Sequence, residues 1–183
     1  MNRRNFAKLA AGVSLAAPVA ACTTSNVNGV STVTLNVAET VAWGQAVANA
    51  AVLFAGFPGV PASVSTTMTT LAGLISADLT AFKAAAGNSV TLSFAATSPN
   101  AAVTSLLNDG QTVLTDASGV VKGVAAQYLA QAQTALNSLK TIMSIFQAVM
   151  AGASVGTARL VVGAAAHGMT EQGALLNLGV VYQ

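Results

Sequence analysis

The stretch that decides the fold is VKGVAAQYLAQAQTALNSLKTIMSIFQAVM, Val121 to Met150. Its apolar residues Ala125, Leu129, Ala132, Leu136, Leu139, Met143, Phe146 and Met150 step by four and three without a miss, which draws one stripe down a long helix. Gln127, Gln131, Thr134, Ser138, Thr141 and Ser144 fall on the opposite side, and a helix with a polar side is not surrounded by lipid. The packing seam Leu129, Leu136, Leu139, Met143, Phe146 and Met150 therefore meets either the chain's own core or a partner helix. Ala125 and Ala132 let a neighbour approach closely at one end, while Met143, Phe146 and Met150 fill a wider space at the other. Gly152 and Gly156 end the pattern.

Upstream, Asn36-Val37-Ala38-Glu39 reads as a capping box: the Asn36 side chain accepts from a free backbone N–H and Glu39 reaches back. The helix it opens is expected to run to Ala55 and to stop at Gly56-Phe57-Pro58-Gly59. A second helix follows Pro61 or Ser63 and carries Met68, Leu71, Ile75, Leu79 and Phe82 on one face, with Thr66, Thr70, Thr80 and Lys83 elsewhere, ending at Gly87-Asn88. Ser89 to Phe94 alternates polar and apolar, the period of a half-buried strand, and Thr32 to Leu35 reads as a shorter one. Ser98-Pro99 is expected to cap a third helix through Val103, Leu106, Leu107, Val113 and Leu114, weakened in its middle by Gly110. Beyond Thr157 the reading is a short helix through Ala166, a turn near Gly168 and a weak helix after Thr170. The expected fold is mainly α, a bundle of about four helices with a small β element.

The 183 residues are 54% hydrophobic and only 7% charged, with a mean hydropathy of +0.66. Soluble domains carry roughly 25% charged residues, so polarity here rests on Ser, Thr, Asn and Gln. The formal charge of +2 is a property of the first residues. Setting aside Arg3, Arg4 and Lys8 leaves Lys83, Lys122, Lys140 and Arg159 against Glu39, Asp78, Asp109, Asp116 and Glu171, four positive against five negative. With no basic stripe left to neutralise phosphates, no nucleic-acid partner is expected.

His167, the only histidine, lies between Ala166 and Gly168. A metal site needs about three or four ligands, and with one cysteine and five carboxylates spread along the chain no ligand cluster forms; neither metal nor cofactor is expected. Any Ser-His-Asp triad would have to use His167, and no Gly-x-Ser-x-Gly elbow accompanies it. Carboxylates for glycoside hydrolysis could only be drawn from Glu39, Asp78, Asp109, Asp116 and Glu171; Asp109 and Asp116 share a helix face roughly 10 Å apart, and surface solvation explains them more simply. Gly152, Gly156 and Gly163 form no phosphate loop; Gly152 and Gly156 match the close-packing spacing of membrane helices. Trp43, the sole tryptophan, either packs on a neighbouring helix or stacks on a ligand.

The N-terminal segment has a basic start, an apolar stretch from Leu9 to Ala17 and small residues before Cys22, the anatomy of a signal peptide. The apolar stretch is shorter than the about 20 residues that span a bilayer. Arg3-Arg4-Asn5-Phe6-Ala7-Lys8 resembles the twin-arginine export motif Ser/Thr-Arg-Arg-x-Phe-Leu-Lys, from which Asn2 and Ala7 depart; Arg3, Arg4, Phe6 and Lys8 carry the resemblance. Val19-Ala20-Ala21-Cys22 resembles the lipobox of bacterial lipoproteins, in which the cysteine becomes the acylated N-terminus. The competing reading is ordinary cleavage after small residues, leaving a thiol, but Cys22 is the only cysteine and has no disulfide partner within the chain. The resemblance implies passage of folded chains, and with Thr23 rather than Asp after the cysteine it implies the outer membrane.

Residues 1–21 are thus expected to be an export signal peptide, 22–35 a lipid-anchored N-terminus with Thr23 to Ser31 as a flexible tether, and 36–183 a single helical domain. The expected role is that of a non-catalytic envelope lipoprotein at the periplasm or cell surface, structural, adhesive or self-assembling. Its expected partners are the membrane, through the lipid anchor, further copies of itself, and envelope proteins or polymers. A membrane-inserting or pore-forming protein is the alternative, and a hydrolytic enzyme using His167 the second alternative.

Overall fold

The computed structural model describes residues 22–27, 30–152 and 170–180. In chain order these form β1 (Cys22–Val27), β2 (Val30–Asn36), α1 (Val37–Ala55), α2 (Ala62–Ala86), β3 (Thr91–Ala95), α3 (Ala101–Val121), α4 (Ala126–Gly152) and α5 (Glu171–Asn177). The fold is mainly α, a helical bundle with one small antiparallel sheet in the order β1-β2-β3.

Helix α1 begins where local chemistry dictates. The Asn36 side chain accepts from Glu39 N–H at 3.2 Å, and the buried Thr40 hydroxyl donates to Asn36 C=O at 2.8 Å. At the other end Gly56 N–H donates to the Val52 and Leu53 carbonyls, and the chain turns through Phe57 to Gly59. Between these ends Trp43, Ala46, Val47, Ala50, Ala51 and Phe54 are all buried, and α1 packs against α2, α3 and α4. Helix α2 buries Met68, Leu71, Ile75, Leu79 and Phe82 and stops at Gly87, whose φ of +58° a side chain would resist.

Close packing depends on two residues without side chains. A Cβ on Gly44 of α1 would stand 2.5 Å from Leu79 Cδ2 and 3.2 Å from Leu106 Cδ1, and one on Gly110 of α3 would stand 2.7 Å from Met143 Sδ. Gly110, read from sequence as a weak point, is thus where α4 comes down onto α3.

Several sequence expectations need correction. The long helix starts at Ala126, not Val121: α3 runs to Val121, the turn bonds Lys122 N–H to Gly119 O and Gly123 N–H to Val120 O follow, and Ala125 is exposed. Ser138 and Thr141 are not on a solvated face but buried, at 0% and 2% exposure. Their hydroxyls donate to Thr134 O and Asn137 O, one turn back on the same helix, which satisfies them without water. The buried arc of α4 therefore also takes in Ala135, Ile142, Ile145 and Val149, wider than a two-in-seven seam. Asn100, not Ser98, caps α3, accepting from Ala102 N–H at 3.0 Å. Residues 22–27 are not tether but strand, paired along β2 from Cys22↔Leu35 to Val27↔Val30. Strand β3 lies two residues later at its start than the alternation suggested.

Candidate functional site

The predicted packing seam is brought together by the bundle. Leu136, Leu139, Met143 and Phe146 are buried, Leu129 and Met150 are half-buried, and α4 lies against α1, α3 and α5. The seam is therefore intramolecular core.

Trp43 also belongs to the core. Its ring is fully buried, tilted against Phe146 with centroids 5.5 Å apart, and its Nε1–H donates to Glu171 Oε1 at 2.7 Å. Burial rules out the reading in which it stacks on a ligand. Asn49, two turns further along α1, donates from Nδ2 to Leu178 O at 2.8 Å. Together these bonds tie α5 and the turn after it to α1, while its own Ala174 and Leu175 are buried and the helix packs chiefly on α4. Thr170 caps α5 by accepting from Gly173 N–H at 3.1 Å.

Sequence places Asp109 and Asp116 on a solvated surface; in the structure both are half-buried. Asp109 on α3 finds its electrostatic neighbour in Asp78 of α2 rather than in Asp116. Burial, and after it the Asp78 charge, raises the Asp109 pKa above the usual 3.8. Among the described residues Asp78 Oδ2 is buried without a hydrogen-bond partner, so this pair burdens the α2–α3 contact. Among the described residues no group of three or more His, Cys, Asp or Glu could hold a metal. An open groove of about 400 Å³ lies where Leu53, Ala130, Gln131, Thr134, Ala135 and Asn177 meet.

Of the export and anchoring residues, Arg3, Arg4, Phe6, Lys8, Val19, Ala20 and Ala21 lie outside the described residues, as do Gly156, Gly163 and His167. Cys22 is described, and its position is informative: it is the first residue of β1, in one row with Leu35 of β2 and Leu92 of β3. Strands β1 and β3 both run antiparallel to β2. They therefore start at the same end of the sheet, where β2 hands over to α1. There Val37 N–H donates to Val90 O at 3.0 Å, fixing the turn that precedes β3 beside the first residue of α1. Sequence reading missed this grouping because β1 has no alternating apolar side to reveal it; the β-branched Thr23, Thr24 and Val27 were the available signal.

Helix α1 is long and apolar enough to cross a membrane by length and composition, and half of its most apolar window is buried inside the bundle. In comparison with known proteins, no family model matches the chain, and neither a curated protein nor a solved structure does.

Proposed function

We propose that this chain is an exported envelope lipoprotein, held on a membrane by acylated Cys22, whose helical domain is non-catalytic and has a structural, adhesive or self-assembling role. The observation that carries the reading is a lipobox-like Val19-Ala20-Ala21-Cys22 ending a leader-like segment on the chain's only cysteine. The surface supports the second half of the proposal. Thr67, Thr69, Thr70, Thr80, Thr112, Thr115 and Thr134 are exposed, and each donates its hydroxyl to a carbonyl four residues back. With the donor already engaged, such a surface loses little when another surface covers it.

The test is Cys22→Ser in the native host. The wild type is expected in the membrane fraction and labelled by a palmitate analogue, the variant soluble and unlabelled. A wild type that is soluble and unlabelled defeats the anchor. Replacing Arg3 and Arg4 together by Lys is expected to stop export and leave a folded precursor inside; undiminished export would assign the leader to the general secretory route. His167→Ala is expected to leave any assayable activity intact, and its loss in a folded variant would favour the hydrolytic reading.

A further inference from the structure

The strand that begins at Cys22 fixes more than an attachment point. Resting on the lipid-anchor reading, we propose that the domain sits on the membrane in one orientation, with the Gly87–Val90 turn against the lipid headgroups and the Val90 side chain entering the interface.

A lipoprotein domain joined to its anchor by a flexible tether rotates freely above the bilayer. Here there is no tether to allow it, because β1 starts at Cys22 itself and is bonded along β2. Acyl chains on Cys22 would therefore pull the edge of a folded sheet to the lipid surface. Neighbouring strands lie about 4.8 Å apart, so two steps across the row from Cys22 through Leu35 reach Leu92 at roughly 10 Å. An amphipathic face buries about 5–10 Å into the headgroup and acyl boundary, a distance of the same order as this reach from the anchor, so the end of the sheet that starts at Cys22 is close enough to meet that layer.

What lies at that end suits lipid. Val90 is 78% exposed, more than Val30, Val52, Leu74 or Leu176, and its backbone is held by the bond from Val37. The turn is stiffened further by Ser89 N–H to Ala86 O at 3.1 Å and Thr91 N–H to Ser89 Oγ at 3.2 Å. Gly87, Asn88, Ser89 and Thr91 around it are uncharged and exposed. Lys83, exposed in the last turn of α2, supplies a positive charge for anionic phosphates, while the acidic group of this end, Glu39, is half-buried in the first turn of α1. The opposite end of α1 lies about 28 Å away along a helix of 19 residues, where Gly59 approaches Gly123 next to Lys122.

Acylation consumes the only native thiol, so a cysteine placed elsewhere can be labelled alone. The mature lipidated protein carrying Val90→Cys, Ser89→Cys or Lys122→Cys is labelled with an environment-sensitive fluorophore and reconstituted in vesicles of phosphatidylethanolamine and phosphatidylglycerol. Probes at 89 and 90 are expected to be quenched by brominated lipid and shielded from iodide, each several-fold relative to the probe at 122. Mass spectrometry of the N-terminal peptide reports acylation of the same samples. Acylated protein whose probes at 89 and 90 are as open to iodide as that at 122 overturns the orientation alone; an unacylated Cys22 overturns the anchor and the orientation with it.

Discussion

Gly110 of α3 lies directly beneath Met143 of α4: a Cβ built on the glycine would stand 2.7 Å from the thioether sulfur and 2.8 Å from its methyl. Two helices meet here at a distance set by one missing methyl group. In Gly110→Ala the Met143 thioether, the far end of a flexible but buried side chain, must swing aside, which is expected to cancel the helix gain of alanine and leave the variant no more stable than the wild type. Gly73→Ala on α2, where a Cβ meets nothing within 4 Å, is expected to stabilise by about 0.5–1 kcal/mol, since alanine is the better helix former. Denaturant unfolding of the leaderless protein measures both, and equal effects would remove the packing argument.

Leu136 and Leu139 sit in the intramolecular core, at 8% and 0% exposure. Either leucine changed to Ala is expected to cost about 2–5 kcal/mol, and exposed Gln131→Ala almost nothing. Because the seam meets the chain's own helices, the loss caused by Leu136→Ala should be the same at every concentration of the leaderless protein; a loss that changes with concentration would place a second copy on the seam.

Glu171→Ala leaves the Trp43 indole N–H buried without its acceptor, an expected loss of about 1–3 kcal/mol. Glu171→Gln keeps an acceptor oxygen and should lose less. Trp43 is the only tryptophan, so its fluorescence reports the site directly: a red shift is expected in the Ala variant as α5 loosens.

The raised pKa of Asp109 gives a pH dependence with a definite sign. The folded state holds the Asp109 proton more tightly than the unfolded chain does, because burial and then Asp78 disfavour the charge. Below pH 3.8 both states are protonated and this group imposes no penalty; as pH rises through the folded pKa the penalty appears and remains at neutral pH. Asp109→Asn should therefore melt above the wild type at pH 7, with the two curves converging in acid. A variant less stable than the wild type at pH 7 would show that the carboxylate has a partner there.

What the sequence made legible was local. Helix α1 was readable to its first and last residue because Asn36, Glu39 and the Gly56–Gly59 run act within one turn of its ends. The apolar face of α2 was readable because every member is buried on a single side. Ser138 and Thr141 were misplaced because residue type stood in for exposure, and a hydroxyl bonded to its own helix backbone is content in a core. Strand β1 escaped because its pairing is made by backbone groups that all residues share. The Asp78–Asp109 juxtaposition and the Trp43–Glu171 bond join residues far apart in the chain, and no periodicity announces such pairs.

The hydrogen bonds from α1 to α5 and the turn after it are contacts that local structure cannot make. Trp43 and Asn49 find their acceptors 128 and 129 residues downstream. A ribosome therefore delivers α1 long before its acceptors, so a nascent chain can pack α2, α3 and α4 around its first helix while the side that carries Trp43 and Asn49 stays open until residues 171–178 have emerged.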